Sequence, residues 1–350
     1  MLPRPFLGLW LLFPRRAILP RTNPAIGRKS YMMSSLVARR LMHLTIAIAA
    51  SGCSQGSPVN PTAPYFATPA THFYGNDWVY SSQPSGSEVV VYKRKRNGTL
   101  TSYETLTSGF STPMGMVTTP DGRWYIANSG ASNVLVYHTA PTGPKGPRAT
   151  LNDDGEVPVN VGATPNQQLV AVSNRSTTGG RAGSVSVYLN QHDKPSRILT
   201  YGSHPIQGEG IAIDSNGNCY WSFNDPTTLT GSIVEFVGCN GSGTLFKSGI
   251  LLAGGLAFDR SGNLYYVDQL LGIFKCKGPS SCNIFTPIGI GGLVIPTNIN
   301  FDNRKTQKLW VADAAGYIDT VNVQGLIVYI LDVLDGPTDP PIGIAPAPGS

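Results

Sequence analysis

The chain has 350 residues, of which 40 are Gly and 28 are Pro, and only 13% are charged. This turn-rich, charge-poor composition is typical of an all-β protein, and the length suffices for a large buried core. The formal net charge is +6, but residues 1–52 hold eight of the 26 basic side chains and no acid. The remaining 18 basic and 20 acidic groups nearly balance, which argues against a strongly basic nucleic-acid-binding domain.

The first predicted element is an export signal. An Arg-Arg pair at 39–40 precedes an apolar run over residues 41–50, which is too short to span a membrane and ends in small residues before Cys53. The Ala-Ser-Gly-Cys ending resembles the lipoprotein box of bacteria, in which the cysteine becomes the lipid-bearing N-terminus. We therefore predict a leader over residues 1–52 and lipidation at Cys53, with plain cleavage and secretion as the alternative. Besides Met1, the possible translation starts are Met32, Met33 and Met42.

A flexible tether is predicted over residues 53–69. The segment SQGSPVNPTAP is rich in Ser, Pro, Asn and Thr and has no apolar period. Ser54 at the second mature position resembles the sorting pattern of Gram-negative lipoproteins bound for the outer membrane. The predicted location is therefore the bacterial cell envelope, with the chain held by lipid at the outer membrane or facing the periplasm.

Three strand-like runs, HFYGNDWVYSS, EVVVYKRKR and LTSYETLTS, follow over residues 70–112 without an inner strand before them. A hairpin then repeats as GMVTTPDGRWYIAN from Gly115, GIAIDSNGNCYWSF from Gly210 and GLAFDRSGNLYYVD from Gly255, with looser copies from Val159 and Asn298. The copies start about 43 to 51 residues apart, a period typical of propeller blades. At the Asp-x-x-Gly corner, an Asp at the first turn position can accept backbone N–H groups and the Gly three residues on can adopt a positive φ.

The C-terminal IGIAP at residues 342–346 has the pattern of one more inner strand. Pairing it with the three N-terminal runs completes a blade and leaves no open edge at the seam. The predicted fold is therefore all-β, a six-bladed β-propeller over residues 70–350 with closure by the N- and C-terminal strands. A seven-bladed ring is the alternative, and it requires a repeat that the sequence does not show.

The cysteines fit an oxidising compartment. With Cys53 lipidated, four remain, an even number. Cys276 and Cys282 flank the turn sequence KGPSS, and Cys219 and Cys239 lie in consecutive runs that should pair antiparallel. We favour disulfides Cys219–Cys239 and Cys276–Cys282 among the three connectivities, with four buried thiols as the alternative.

The pattern G-(I/L/M)-A-x-D-x-x-G-N-(L/C)-Y resembles the repeat of NHL-type propellers and of the wider group that includes the SMP-30/gluconolactonase propellers. The resemblance covers most of residues 70–350 and implies the fold. Of the fuller NHL repeat, the chain keeps fragments such as NSGASNVLVY at residues 128–137.

Candidate ligand residues come from the loops that meet on one face of such a propeller. Loops entering inner strands contribute Met114, Asn160, Glu209 and Asn298, and loops leaving second strands contribute Asn128, Asn174, Asn224, Asp268 and Asp313. Carboxylates and amides ringing an axis suit a hard cation such as Ca²⁺. The gluconolactonase resemblance implies a metal set of Glu209, Asn298 and Asp268 or Asp313. The alternative is structural, because Asn and Asp at strand ends commonly cap the following turn.

The basic cluster, the histidines and the tryptophans do not indicate a ligand site. Lys93, Arg94, Lys95 and Arg96 split between two faces of one strand, which indicates a solvated surface, and no nucleic-acid partner is predicted. The scattered histidines, among them His72 and His204, show no metal-ligand spacing. The recurring tryptophans of the second strands, Trp78, Trp124, Trp221 and Trp310, are predicted to pack between blades.

The sequence thus favours a monomeric, non-catalytic binding or scaffold module for a protein or small ligand, held at a membrane by its N-terminal lipid. The alternatives are a divalent-metal-dependent lactonase or hydrolase at the channel mouth and a streptogramin-lyase-like enzyme, for which His204 is the only candidate base.

Overall fold

The computed structural model describes residues 78–95, 99–140, 143–176, 182–190, 192–202, 206–289, 292–302, 307–322, 324–332 and 340–347. The predicted leader, the tether with Cys53, and both His72 and His204 lie outside these residues. Within them, no helix combines the length and the apolar character of a membrane span.

Six four-stranded antiparallel sheets form the blades of a propeller. The strands, in chain order, are β1 (Trp78–Gln83), β2 (Glu88–Arg94), β3 (Leu100–Leu106), β4 (Pro113–Thr118), β5 (Arg123–Asn128), β6 (Asn133–Ala140), β7 (Gly143–Asn152), β8 (Val157–Ala163), β9 (Leu169–Arg175), β10 (Ser184–Leu189), β11 (Arg197–Leu199), β12 (Gln207–Ile213), β13 (Cys219–Asp225), β14 (Thr230–Phe236), β15 (Thr244–Ile250), β16 (Ala253–Phe258), β17 (Leu264–Asp268), β18 (Gly272–Cys276), β19 (Cys282–Pro287), β20 (Pro296–Phe301), β21 (Leu309–Asp313), β22 (Tyr317–Val321), β23 (Ile327–Asp332) and β24 (Gly343–Pro346). Two single-turn 3₁₀ helices, Ser129–Ala131 and Val237–Cys239, follow β5 and β14.

The blades follow the chain in order. Blade 1 combines β24 with β1 to β3, and blades 2 to 6 each take four consecutive strands from β4 onward. Each inner strand packs against the inner strands of its two neighbours, and β20 and β4 both pack against β24. The ring is therefore closed, and the six-bladed prediction is confirmed against the seven-bladed alternative.

The seam joins the two ends of the chain as predicted. Strand β24 pairs antiparallel with β1, so that Ala345 lies opposite Tyr80 and Gly343 opposite Ser82. The Ala347 N–H donates to the Trp78 carbonyl at 2.9 Å beyond the end of the ladder. Pairing with β24 covers the inner edge of β1, a strand edge that would otherwise invite intermolecular pairing.

The repeated hairpin corner forms for local reasons. The Asp259 carboxylate accepts the backbone N–H groups of Ser261 and Asn263 at 2.9 Å each, and Gly262 between them has φ +78°. Asp214 accepts the N–H groups of its own corner in the same way. The predicted roles of Asp and Gly are confirmed, and the corners fix the register between the first and second strands.

The core lies between blades, because a lone four-stranded sheet has two apolar faces to cover. Tyr80 of blade 1 stacks on Trp124 of blade 2 with ring centroids 4.0 Å apart, and both side chains are fully buried. Trp221 and Trp310 are likewise buried in clusters that join neighbouring blades. The aromatic second strands therefore hold the ring together.

Both predicted disulfides are present. Cys276 and Cys282 lie opposite each other across the β18–β19 hairpin. Cys239 lies in the 3₁₀ helix after β14 rather than in the strand itself, and it bonds back to Cys219 at the start of β13.

Candidate functional site

The inner strands surround an axial cavity of about 140 Å³. Its walls come from residues 116–117, 160–163, 211–213, 256–258 and 298–300, which occupy the later part of five inner strands. The cavity therefore lies toward the end of the channel where the inner strands lead into the Asp-Gly corners. The rim predicted from the sequence, where the inner strands begin, is at the other end.

One layer of residues narrows the channel between these two ends. It consists of the third or fourth residue of each inner strand, or the first residue of the short strand β24, namely Gly343, Gly115, Asn160, Gly210, Gly255 and Asn298. The neighbours touch: a Cβ on Gly255 would lie 2.9 Å from the Asn298 Cα, and one on Gly210 would lie 2.9 Å from the Gly255 Cα. Glycine at four of the six positions lets the strands approach closely.

The two asparagines of this layer come from blades 3 and 6, which are opposite in a ring of six. A Cβ on Gly115 would lie 2.7 Å from Asn160 Oδ1 and 2.9 Å from Asn298 Nδ2, so both amides converge over that glycine. Each side chain is buried, and Asn160 Oδ1 accepts the Val161 N–H at 2.8 Å. These amides close one end of the cavity.

The cavity is lined by amide and apolar groups. Asn300 joins Asn160 and Asn298 in the wall and donates through Nδ2 to the Met116 carbonyl at 3.3 Å. None of the lining residues is an acid, a base or a nucleophile. Such a cavity can hydrogen-bond water or a small neutral ligand, but it offers no group for proton transfer.

The carboxylates of Asp268 and Asp313 serve as backbone caps. Asp268 accepts the N–H groups of Leu251 at 2.9 Å and Leu270 at 3.1 Å. Asp313 accepts those of Val294 at 2.6 Å and Ile295 at 2.9 Å. Both carboxylates are buried. Each therefore holds the loop that enters its own blade, which is the structural alternative that the sequence left open.

Asn128 and Asn224 likewise bind loop backbone groups in other blades. Asn128 Oδ1 accepts the Ser111 N–H at 2.6 Å, and its Nδ2 donates to the Gly109 carbonyl at 3.2 Å. Asn224 clasps the backbone of Ala253, accepting its N–H at 2.8 Å and donating to its carbonyl at 3.2 Å. Met114, another predicted rim residue, packs on Ala127 and Val159.

Asn174 belongs to a buried polar cluster formed by blade 3 and the loop that enters it. Its Nδ2 donates to Ser186 at 2.9 Å, and the Ser186 hydroxyl donates to Asp153 at 2.6 Å. Ser184 donates to Glu156 at 3.1 Å in the same cluster. Burial is the main cause that raises the pKa of Asp153 to about 6. The sequence does not indicate this cluster, because Asp153 lies in the loop between β7 and β8 and Ser186 lies in β10, 33 positions later, and only the fold joins them.

Glu209 forms an ion pair with Arg175, which is not among the predicted site residues. The carboxylate lies 2.7 Å from the guanidinium, and its charge raises the pKa of Arg175. Glu209 Oε1 also lies 3.5 Å from Asn224 Nδ2. The position of Arg175 directly after Asn174, at the end of a second strand, was the available signal for a charged group on this face.

Of the eight predicted polar ligand residues, the structure brings Asn160 and Asn298 together and places Glu209 beside Asn224. Asp268 and Asp313 stand at their own loops, each engaged with backbone N–H groups. Across the described residues, no three His, Cys, Asp or Glu side chains are grouped as a metal site requires. Their role in binding a ligand or a metal stays a prediction.

No family model and no curated protein matches the chain. A solved structure of a functionally unknown protein from Desulfotomaculum acetoxidans DSM 771 superposes with a TM-score of 0.55 and 15% identity, covering 79% of this chain and 100% of that one. Regucalcin from Agrobacterium tumefaciens C58, described as a calcium-binding protein, gives 0.49 and 13%, with 67% and 77% covered. A luciferin-regenerating enzyme gives 0.46 and 13%, with 64% and 77% covered. At these identities the first likeness shows the fold alone, and the other two carry no further weight.

Proposed function

We propose that the protein is an exported propeller, anchored in the bacterial cell envelope through a lipid on Cys53, that binds a protein or small-molecule ligand without transforming it. The observation that carries this proposal is the engagement of the predicted ligand carboxylates. Asp268 and Asp313 hold loops, Glu209 is paired with Arg175, and the axial cavity has only amide and apolar walls.

The chief alternative is a divalent-metal-dependent lactonase or hydrolase. It is favoured by the convergence of Asn160 and Asn298 over Gly115, since amide oxygens are ligands for Ca²⁺. As folded, however, the implied set of Glu209, Asn298 and Asp268 does not present a common group of free oxygen ligands. A cation there would have to displace Arg175 from Glu209 and the loop N–H groups from Asp268. These residues therefore do not fit the metal, and we derive no reaction through it.

Calorimetry tests the proposal directly. We expect titration of the full chain carrying Cys53→Ser with Ca²⁺, Mn²⁺ or Zn²⁺ to show no site of micromolar affinity, because Glu209 and Asp268 can bind a cation only by breaking an ion pair or a cap. A micromolar site that Glu209→Ala abolishes, and that the exposed control Glu104→Ala retains, would support the hydrolase instead.

The lipid anchor has its own test. In a Gram-negative host supplied with a labelled fatty acid, we expect the unmodified chain to take up label and the Cys53→Ser variant to take up none. The physical reason is that the acyl chains are joined through this cysteine and supply stable membrane attachment. Equal labelling of the two proteins would reject Cys53 as the anchor and leave secretion as the better reading of the leader.

A further inference from the structure

Five exposed aliphatic side chains lie in loops at one end of blades 4 to 6. They are Leu229, Leu251, Leu270, Leu271 and Val294, with 80%, 46%, 58%, 41% and 47% of their surface accessible. Each lies in a loop that joins the second and third strands of a blade or leads into the next inner strand. In antiparallel blades these two kinds of loop share one end, so the five side chains form one surface, here called the apolar loop face.

The backbone contacts show that the face is continuous. The N–H groups of Leu251 and Leu270 bind the two oxygens of the single Asp268 carboxylate, which places the two loops side by side. The Leu271 carbonyl accepts the N–H of Ile288 at 3.1 Å. Ile288 begins the segment between β19 and β20 that contains Val294, so this bond joins the loops of Leu271 and Val294. On the other side, Gly231 lies opposite Ile250 in the ladder, which brings the loop of Leu229 next to Leu251.

The face is also held firmly. Asp268 fixes two of its loops, and Asp313 fixes a third through the Val294 N–H at 2.6 Å. The Leu252 carbonyl accepts the Gln269 N–H at 2.8 Å between the first two. The carboxylates that the sequence predicted as ligands thus display aliphatic side chains on a fixed backbone, which lowers the entropy lost when the face is covered.

Charge is sparse in these loops. Residues 226–230, 249–255, 269–272, 287–289 and 292–297 include no Asp, Glu, Lys or Arg. The carboxylates that flank them, Asp225, Asp268 and Asp313, each accept loop N–H groups. At the same end of blades 2 and 3, by contrast, stand Asp153, Asp154, Glu156 and Arg175. Contiguous exposed apolar surface of this kind marks an interaction site. The exposed residues Tyr103, Ile198, Leu245 and Ile284 differ, because they lie singly on the outer strands, as is ordinary for a protein surface.

We infer that the apolar loop face docks onto a lipid bilayer, with its leucine side chains entering the boundary between headgroups and acyl chains. The choice of a bilayer rests on the proposed anchor at Cys53. Trp78, the first residue of β1, stands 25 residues after that cysteine. Twenty-five residues span at most about 90 Å when fully extended, several times the length of a blade strand, so the anchor would keep the propeller near the membrane and let either end of the ring face it. Tethering gives the propeller a high effective concentration at the membrane, so a modest apolar surface is sufficient for docking.

The chemistry of the face sets its lipid preference. Aliphatic side chains without cationic neighbours gain from entering the acyl region but have nothing to attract anionic headgroups. Binding to uncharged phosphatidylcholine vesicles is therefore expected, and it should change little between low and high salt, because screening acts on charges.

Co-flotation with phosphatidylcholine vesicles tests the inference. The protein is the full chain carrying Cys53→Ser, so that no acyl chain contributes. We expect it to float with the vesicles, and the added pair Leu229→Ser and Leu270→Ser to lower the partition coefficient by about tenfold or more, given the apolar area removed. The matched control pair, Leu245→Ser and Ile284→Ser on the outer strands, should leave partitioning unchanged. Circular dichroism checks that all variants are folded.

The remaining outcomes decide against the inference. If the Cys53→Ser chain does not float, or if both serine pairs reduce flotation equally, the face does not dock on lipid, whatever the fate of the anchor. If sedimentation shows a dimer that only the Leu229/Leu270 pair dissociates, and vesicles do not bind, the face joins two copies of the chain. Fatty-acid labelling lost on Cys53→Ser would leave the anchor standing in each case, so the two proposals fail separately.

Discussion

Replacing Ile344 with Asp is expected to unfold the propeller or to leave it barely stable. Ile344 is fully buried in β24, where it packs with Val79, Trp310 and Ile318 between blades 1 and 6. The variant loses this apolar burial and places a carboxylate there without a partner, at a cost of roughly 4–5 kcal/mol or more. A cost of that size is a large part of the whole stability of a typical domain. Urea denaturation followed by tryptophan fluorescence measures it.

The seam explains why a single side chain has this effect. Strand β24 is the innermost strand of blade 1 and follows the last strand of blade 6 in sequence, so it joins the end of the ring to its start. Ile284→Asp is the matched control, since Ile284 is 53% exposed on β19 and should change the free energy of unfolding by less than about 1 kcal/mol. Equal urea midpoints for the two variants would show that the tail is not the inner strand of blade 1.

The fold could be predicted because its signals are local and repeated. The Asp259 corner needs only residues 259–263, whose side-chain and backbone groups satisfy each other within the turn. A period of about 43 to 51 residues then limits the possible architectures. The seam could be predicted from the number of strands. The N-terminal segment has three strands of a blade but no inner strand, and the C-terminal segment has one inner strand without the other three.

The site could be predicted only in part, because its contacts join distant residues. Glu209 and Arg175 are 34 positions apart, and nothing in either segment indicates that they pair. Asp268 resembles a rim ligand in sequence, yet its oxygens are taken by Leu251 and Leu270. Whether a carboxylate faces a channel or its own loop depends on a few ångströms of backbone position, which the pattern of residue types does not encode.

The layer of residues that narrows the channel could have been predicted from the sequence. Four of its positions are glycine in the aligned repeats, and Asn160 and Asn298 are the exceptions, three blades apart. A large polar residue at a position that elsewhere demands glycine indicates a place where the channel is filled. The alignment singled out both asparagines as ligands, whereas their convergence over Gly115 needed the closed ring.

Asp319 is a buried acid that no motif in the sequence indicates. It lies in the middle of β22, its side chain is fully buried, and neither carboxylate oxygen has a hydrogen-bond partner in the structure as described. Burial, assisted by the nearby charge of Asp313, raises the pKa of Asp319 from 3.8 to about 7. Between those two pH values the folded protein holds a proton that the unfolded chain has released, so stability falls as pH rises through this window.

The substitution Asp319→Asn removes this dependence. It keeps the shape of the side chain and cannot ionise, so we expect it to raise the free energy of unfolding at pH 8 by about 2–4 kcal/mol and to change it far less near pH 4. Urea denaturation at both pH values measures the difference. The exposed control Asp193→Asn should show no such trend. A variant that is less stable than the parent chain at pH 8 would contradict the argument, because it would mean that Asp319 is ionised and stabilised in the folded protein.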